Sequence, residues 1–172
     1  MDSTLRRNTI LDTINKSDTP ISASVLAKDL NVSRQVIVGD VAFLRAQGNE
    51  IIATARGYIA PTLTKSNQYI GKIACCHSTK DTETELRQLV DCGAIVMNVI
   101  IEHEIYGEIA GQLNIKTHED IDVLMKRIHS SNVKLLSELK SGIHLHTIAC
   151  RDKTHFEQIC AALDDLGFLF KG

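Results

Sequence analysis

Seven histidines lie in the chain, all after residue 76, and two of them, His144 and His146, stand two apart in the run IHLH. On an extended strand, residues i and i+2 project from the same face, about 6–7 Å apart along the strand. Two imidazoles on one face can share a metal ion. His77, in CCHST, closes an apolar run and ends a predicted strand. Placed beside IHLH in an antiparallel pair, its imidazole would approach the same point. A carboxylate shortly after it, Glu83 or Glu85, would complete a four-ligand set. Imidazole with carboxylate suits Zn, Ni, Fe or Mn better than Ca or Mg. Thr82-x-x-Glu85 also reads as a capping box, a purely structural job at a helix start. His103, in IEHEIYG, is a weaker candidate, and His118, His129 and His155 fall in helical contexts expected to be solvated.

A second constellation lies upstream. SRQVIVGDVAFLRAQGNE places Ile37, Val41 and Leu44 at i, i+4 and i+7, the buried stripe of a helix. Ser33 can cap its start and Gly48 stands where it would stop. Arg34 and Gln35 open that helix. Arginine pairs with guanine and glutamine with adenine through two hydrogen bonds each, and a helix N-terminus favours phosphate. Val38 and Gly39 are small enough to allow close approach. Arg45 lies further along, and Arg56 sits at the tip of a predicted hairpin, placed to reach a phosphate or the minor groove. The candidate DNA-contacting set is therefore Ser33, Arg34, Gln35, Val38, Arg45 and Arg56.

The elements that must position these groups follow from periodicity. LRRNTILDTIN puts Leu5, Ile10 and Ile14 near one helical face. ISASVLAKDLNVS, with Ser22 as N-cap and apolar Val25, Leu26 and Leu30, predicts a second helix, and Asn31–Val32 a tight turn before the third. EIIATARGYIA reads as two short strands about a turn at 55–57. Two helices joined by a tight turn and followed by a hairpin make a winged helix-turn-helix, whose second helix enters the major groove. Beyond PTLTKSNQ, a polar linker at 61–68, the period changes. YIGKIACCH, GAIVMNVIIEHEIYG, GEIAGQLNI and GIHLHTIACR predict strands. TETELRQLVDCG and KTHFEQICAALDDLG predict helices, and THEDIDVLMKRIHSSNVKLLSELKS one helix or two. The fold class is α+β: a winged helix-turn-helix over 1–62, then a ferredoxin-like βαββαβ domain over 67–172.

Composition excludes several classes. Hydrophobic residues make up 44% of the 172 and Trp is absent, so the core is aliphatic. No apolar stretch is long enough for a membrane span, and MDSTLRRNTILDTINKSD lacks a signal-peptide pattern, so a cytoplasmic protein is expected. The five cysteines include no CxxC pair, which removes a zinc-finger reading; Cys75, Cys76 and Cys150 read as small buried hydrophobes. Net charge is −2, and residues 1–60 carry seven Lys/Arg against six Asp/Glu. Affinity for DNA must then come from locally placed arginines rather than bulk charge.

The run LAKDLNVSRQVIVGDVAFLRAQGNEIIATARGYIA resembles the winged-helix half of the biotin-repressor-like class. Through VSRQVI, Asp40 and LRAQG, and through RGYI, CCH and IHLH, the whole chain resembles the niacin-responsive repressor family, in which a winged helix precedes a 3H domain. That resemblance implies a repressor of NAD-biosynthesis or niacin-uptake genes with nicotinic acid as corepressor. It also implies Glu85, eight residues beyond His77, as the carboxylate. The expected metal set is thus His77, Glu85, His144 and His146, holding one divalent transition metal, Ni or Zn. The family pattern has a proline after the histidine at 103, where this chain has Glu104, so no role carries over to His103. Double-stranded operator DNA and a second copy of the chain are the expected partners, since two-fold symmetry doubles a short recognition contact. Two alternatives compete: a metal-dependent hydrolase of small molecules, and an ACT-like amino-acid-sensing regulator.

Overall fold

The computed structural model describes residues 2–61 and 68–172. They form two compact units divided within 62–67, and the expected domain boundaries at 62 and 67 lie there, outside the described residues. The first unit comprises α1 (Ser3–Asn15), α2 (Ala23–Asp29), α3 (Arg34–Ala46) and a hairpin of β1 (Ile52–Thr54) and β2 (Gly57–Ile59). Each helix starts on a side-chain oxygen. Asp2, Ser22 and Ser33 accept from the backbone N–H groups of Thr4, Val25 and Val36, satisfying donors that a helix start otherwise leaves open.

Ile10 and Ile14 of α1, Leu26 of α2 and the expected Ile37/Val41/Leu44 stripe of α3 form the core of this unit. Burying each such side chain contributes about 1.5–3 kcal/mol. Leu5 and Val25 stay out of it, 57% and 49% exposed. Leu5 precedes Ile10 by five residues, roughly 140° around the helix from it at 3.6 residues per turn. Val25 lies on the far side of α2 from Ala23, Leu26 and Ala27. The turn between α2 and α3 passes through Asn31, whose φ of 51° is left-handed, while the Val32 N–H donates to the Ala27 carbonyl at 3.0 Å. Asparagine is among the few side chains that tolerate this conformation. β2 also pairs with Ile21, the Ile21 and Tyr58 backbones exchanging two 2.8 Å hydrogen bonds.

The second unit runs β3 (Tyr69–Cys76), α4 (Thr82–Asp91), β4 (Ile95–His103), β5 (Gly107–Ile115), α5 (His118–Ser130), β6 (Ile143–Cys150) and α6 (Lys153–Asp165). The βαββαβ succession and closing helix are those expected. The segment after β5 is one α-helix and a separate 3-10 turn at Leu136–Lys140. The final FLF run contributes a single bridge, Leu169 to Cys75. All four strands are antiparallel to their neighbours in the order β3-β6-β4-β5. The first and fourth strands of the unit are therefore adjacent, as expected. The fourth and second, however, occupy the centre, where a ferredoxin-like sheet has its first and third. Burial explains this order. β6 buries Ile148, Ala149 and Cys150 on both of its faces and suits an interior position. β5 exposes Glu108 and Gln112 and suits an edge.

Register sets the faces. Cys75 lies opposite His144, and Ile73 and Val99 lie opposite His146 on the two sides of β6. These side chains belong to the face whose core also takes in Leu86 and Leu89 of α4, Ile121 of α5 and Ile159 of α6. The two histidines of IHLH thus point into the core beneath α4.

Candidate functional site

His144 and His146 are 2% and 3% exposed, and Glu85 1%. Glu85 reaches them from the first turn of α4. Its Oε2 lies 2.7 Å from His77 Nε2, 3.3 Å from His146 Nε2 and 3.4 Å from His144 Nε2. All four expected metal-site residues therefore meet at one carboxylate oxygen. The rings stand edge to face, His144 against His77 at 4.8 Å and against His146 at 4.9 Å between centroids.

The other nitrogen of each ring fixes the tautomer. His77 Nδ1 faces the Ser78 carbonyl at 2.8 Å, His144 Nδ1 the Gly142 carbonyl at 2.8 Å, and His146 Nδ1 the Asn98 carbonyl at 2.7 Å. A carbonyl only accepts, so each Nδ1 carries the proton. In the neutral ring each Nε2 then directs a lone pair inward. Three lone pairs aimed at a carboxylate oxygen repel unless a cation or protons lie among them. Backbone carbonyls behind each ring are also how metal-binding histidines are commonly oriented. Burial raises the Glu85 carboxyl; when protons lie on the three Nε2 atoms, hydrogen bonds from His144, His146 and His77 outweigh it and hold the group well below the usual carboxylate range. Burial lowers the His77 imidazole, and the Glu85 contact more than offsets that, leaving it raised.

Cys75 joins this cluster from β3. Donor atoms of Cys75, Glu85 and His144 lie within 4.8 Å of one another, a set able to hold a metal ion. The sequence reading treated Cys75 as a buried hydrophobe. It is fully buried, and burial followed by the Glu85 charge pushes its thiol strongly upward. Only the register, which puts Cys75 opposite His144, identifies it as a neighbour of the site. Gly142 is another residue the sequence did not mark. Its φ is +90°, and a Cβ there would stand 2.3 Å from the His77 carbonyl oxygen. The close approach of the two backbones brings the end of β3 against the start of β6.

The capping box read at 82–85 does not form. Thr82 is the first residue of α4 and Asp81 occupies the cap position, which leaves the Glu85 carboxylate to the imidazoles. Glu83, the alternative carboxylate, pairs with Arg87 at 2.7 Å. His103 accepts from the Ile105 and Tyr106 N–H groups and stacks on Tyr106, a turn-forming role. His118 and His155 are partnered rather than simply solvated. His118 meets Asp91 at 2.7 Å, and His155 Nε2 meets the Cys92 carbonyl at 2.6 Å. His129 is exposed, as expected.

A cavity of about 80 Å³ adjoins the cluster. Leu86, Val99, Leu113, Leu124 and Leu136 are among its apolar walls, and Thr82, Ser137, Glu85 and the three histidines supply its polar lining.

In the first unit, α3 exposes Ser33, Arg34, Gln35 and Arg45. At about 100° per residue, the face opposite Ile37, Val41 and Leu44 carries Gln35, Gly39, Ala42 and Ala46, all exposed. Arg34 and Arg45 lie together on one side of it, about 60–80° around the helix from Ile37. Ala42 and Ala46 were not singled out from sequence, although their spacing from Gln35 and Gly39 would have shown them. Val38 is half-buried and packs against the core, so it borders the exposed face rather than standing on it. The Ser33 hydroxyl is engaged in capping. Arg56 lies in the β1–β2 turn, its N–H donating to Thr54 Oγ1. Behind α3, buried Asp40 accepts from Arg6 at 2.5 Å and Arg7 at 2.9 Å, and the Arg7 guanidinium lies 3.8 Å over the Phe43 ring. Of these four residues only Asp40 stands in the motif that carries the family resemblance; the sequence did not mark Arg6, Arg7 or Phe43.

A helix-turn-helix with a hairpin wing, followed by a sheet domain with a buried imidazole–carboxylate cluster, defines a two-domain regulator. Residues 6–59 match the HTH domain family and residues 70–172 the 3H domain family. The chain is 39% identical to "Transcription repressor NadR" of Bacillus subtilis (strain 168), over 96% of this chain and 93% of that protein. It is 35% identical to "Probable transcription repressor NiaR" of Thermotoga maritima, over 96% of this chain and 94% of that protein. The chain belongs to the niacin-responsive repressor family of helix-turn-helix and 3H-domain proteins. It is a regulator rather than an enzyme, and the hydrolase alternative is set aside. No helix among the described residues is long and apolar enough to cross a membrane.

Proposed function

We propose that the chain is a cytoplasmic transcription repressor of NAD-biosynthesis or niacin-uptake genes that binds operator DNA as a homodimer, with nicotinic acid as corepressor. His77, Glu85, His144 and His146 hold one divalent transition metal, Ni or Zn, in this reading. The observation that carries it is the convergence of three Nε2 atoms on one buried carboxylate oxygen at the wall of an apolar cavity. A metal bound there supplies a Lewis-acidic position for an anionic pyridine carboxylate. The chain's own part is to orient the imidazoles through backbone carbonyls and to surround the ligand ring with leucines. The DNA contact falls to α3, with Arg34 and Gln35 at base edges, small Gly39 and Ala42 allowing the helix close, and Arg45 and Arg56 toward the backbone.

The test measures operator binding by fluorescence anisotropy, with and without nicotinic acid, on metal-loaded wild type, His144→Ala and His146→Ala. Wild type should bind more tightly with nicotinic acid. Each variant should lose bound metal and the response together while retaining the circular-dichroism spectrum of the folded chain. Stoichiometric metal and a full response in both variants would overturn the site. A wild type that responds to nicotinic acid without metal would overturn the metal's part.

A further inference from the structure

Among the described residues, two buried side-chain oxygens have no hydrogen-bond partner: Thr82 Oγ1 and Glu85 Oε1. Both residues line the cavity beside the histidine cluster. Glu85 belongs to that cluster. Thr82 does not, and the cavity it lines has walls that include Leu86, Leu124 and Leu136. A hydroxyl removed from water without a partner is costly to the folded chain. A threonine there would be better replaced by valine, of nearly the same shape, unless something in the cavity meets its oxygen.

The spacing states what could do so. Thr82 and Glu85 are three residues apart on α4 and therefore neighbours on one face, about 5–6 Å between Cβ atoms. A single six-membered ring spans that distance. The cavity thus offers a largely aliphatic slot, with Ser137 also in its lining, whose polar points include the imidazole–carboxylate cluster and, one helical turn away, an unpartnered neutral hydroxyl that can donate.

We propose that Thr82 is a specificity-determining contact of the effector site: it donates its hydroxyl hydrogen to a ring nitrogen of a flat heteroaromatic monocarboxylate whose carboxylate is held at the His77/Glu85/His144/His146 cluster. The assignment rests on the effector reading above and deepens it. It explains how a pocket with leucine walls distinguishes a pyridine ring from a benzene ring of the same shape. A pocket that hydrogen-bonds its ligand rejects an analogue lacking the partner atom more strongly than apolar walls reject a change in size.

Isothermal titration of the Zn(II)-loaded full chain with nicotinic acid and with benzoic acid tests the assignment. Wild type should bind nicotinic acid at least about tenfold more tightly than benzoic acid, the scale of one lost hydrogen bond in a buried site. Thr82→Val should bring nicotinic acid down to the affinity of benzoic acid while leaving benzoic acid and the Zn(II) content unchanged. Thr82→Ser, which keeps the hydroxyl, should restore the preference. Nicotinic acid affinity in Thr82→Val within about twofold of wild type, less than one hydrogen bond accounts for, overturns the assignment and leaves the effector reading standing. Equal wild-type affinity for the two acids overturns it without recourse to any variant. A Zn(II)-loaded wild type that takes up neither acid overturns the effector reading, and the Thr82 contact with it.

Discussion

Single residues carry the site through backbone contacts as much as through their side chains. Gly142 shows this most directly, since its missing Cβ lets the start of β6 lie against the His77 carbonyl. Gly142→Ala forces His77 aside or breaks the turn, and the left-handed φ adds about 1–2 kcal/mol of strain. The expected outcome is a folded chain whose Zn(II) affinity falls at least about tenfold, the scale seen when groups orienting metal ligands are lost; competition with a chromogenic chelator measures it. Asp40 plays a comparable part in the first unit. Burial raises its carboxyl, but hydrogen bonds and charge from Arg6 and Arg7 outweigh burial and hold it below the ordinary value. A carboxyl depressed in the folded state stabilises fully above its unfolded pKa, near 4. That stabilisation is lost as pH falls through the lower folded value. Asp40→Ala should therefore cost about 1–3 kcal/mol at pH 7, and thermal unfolding of both proteins should show the gap narrowing as pH falls below the ordinary carboxylate range. A gap that stays constant with pH would mean the ion pairs are not its source.

At the scale of elements, α3 divides its circumference between core and solvent. Ile37, Val41 and Leu44 are buried on one side, while Gln35, Gly39, Ala42 and Ala46 are exposed on the other. Small side chains on the exposed face let a helix backbone come close to a groove floor, and Arg34 at its N-terminal edge can reach a base. Arg34→Ala should weaken specific operator binding by about 1–3 kcal/mol, with a smaller effect on unrelated DNA, if the guanidinium reads a base edge. Electrophoretic mobility shifts on both DNAs separate that role from phosphate binding, which would weaken both equally. The periodicity of this helix, its Ser33 cap and its Gly48 stop were all legible, because local hydrogen bonding and a 3.6-residue stripe are written in adjacent residues. Leu5 departs from the expected face because Ile10 and Ile14 set the buried side of α1, and a residue five positions before Ile10 points about 140° away from it.

At the scale of the whole molecule, one recognition helix covers only a few base pairs, so the proposed reading expects a second copy of the chain on the operator. Sedimentation of the chain with an operator duplex should give two chains per pseudo-palindromic site. One chain per site at saturation would defeat the dimer. Metal removal gives a related expectation. Chelation should abolish the nicotinic acid response and lower the melting temperature, since a ligand that binds only the folded state stabilises it by mass action. Differential scanning calorimetry with and without chelator measures the shift.

The sequence alone determined the order and type of nearly all elements, the caps of α2 and α3, the buried stripe of α3, and the pairing of His144 with His146 on one strand face. These follow from periods of two and 3.6 residues and from short-range chemistry. It also carried His77 and Glu85, though the choice between Glu83 and Glu85 came from family resemblance and not from spacing. Only the tertiary structure decided that β6 sits inside the sheet, that Cys75 lies opposite His144, that Gly142 meets His77, and that Thr82 faces a cavity with its hydroxyl unpaired. Each of these depends on which distant strands and helices pack together and in what register. A one-residue slip of β6 would turn both histidines to the face away from Cys75, and nothing in the residues next to them records which register the folded chain adopts.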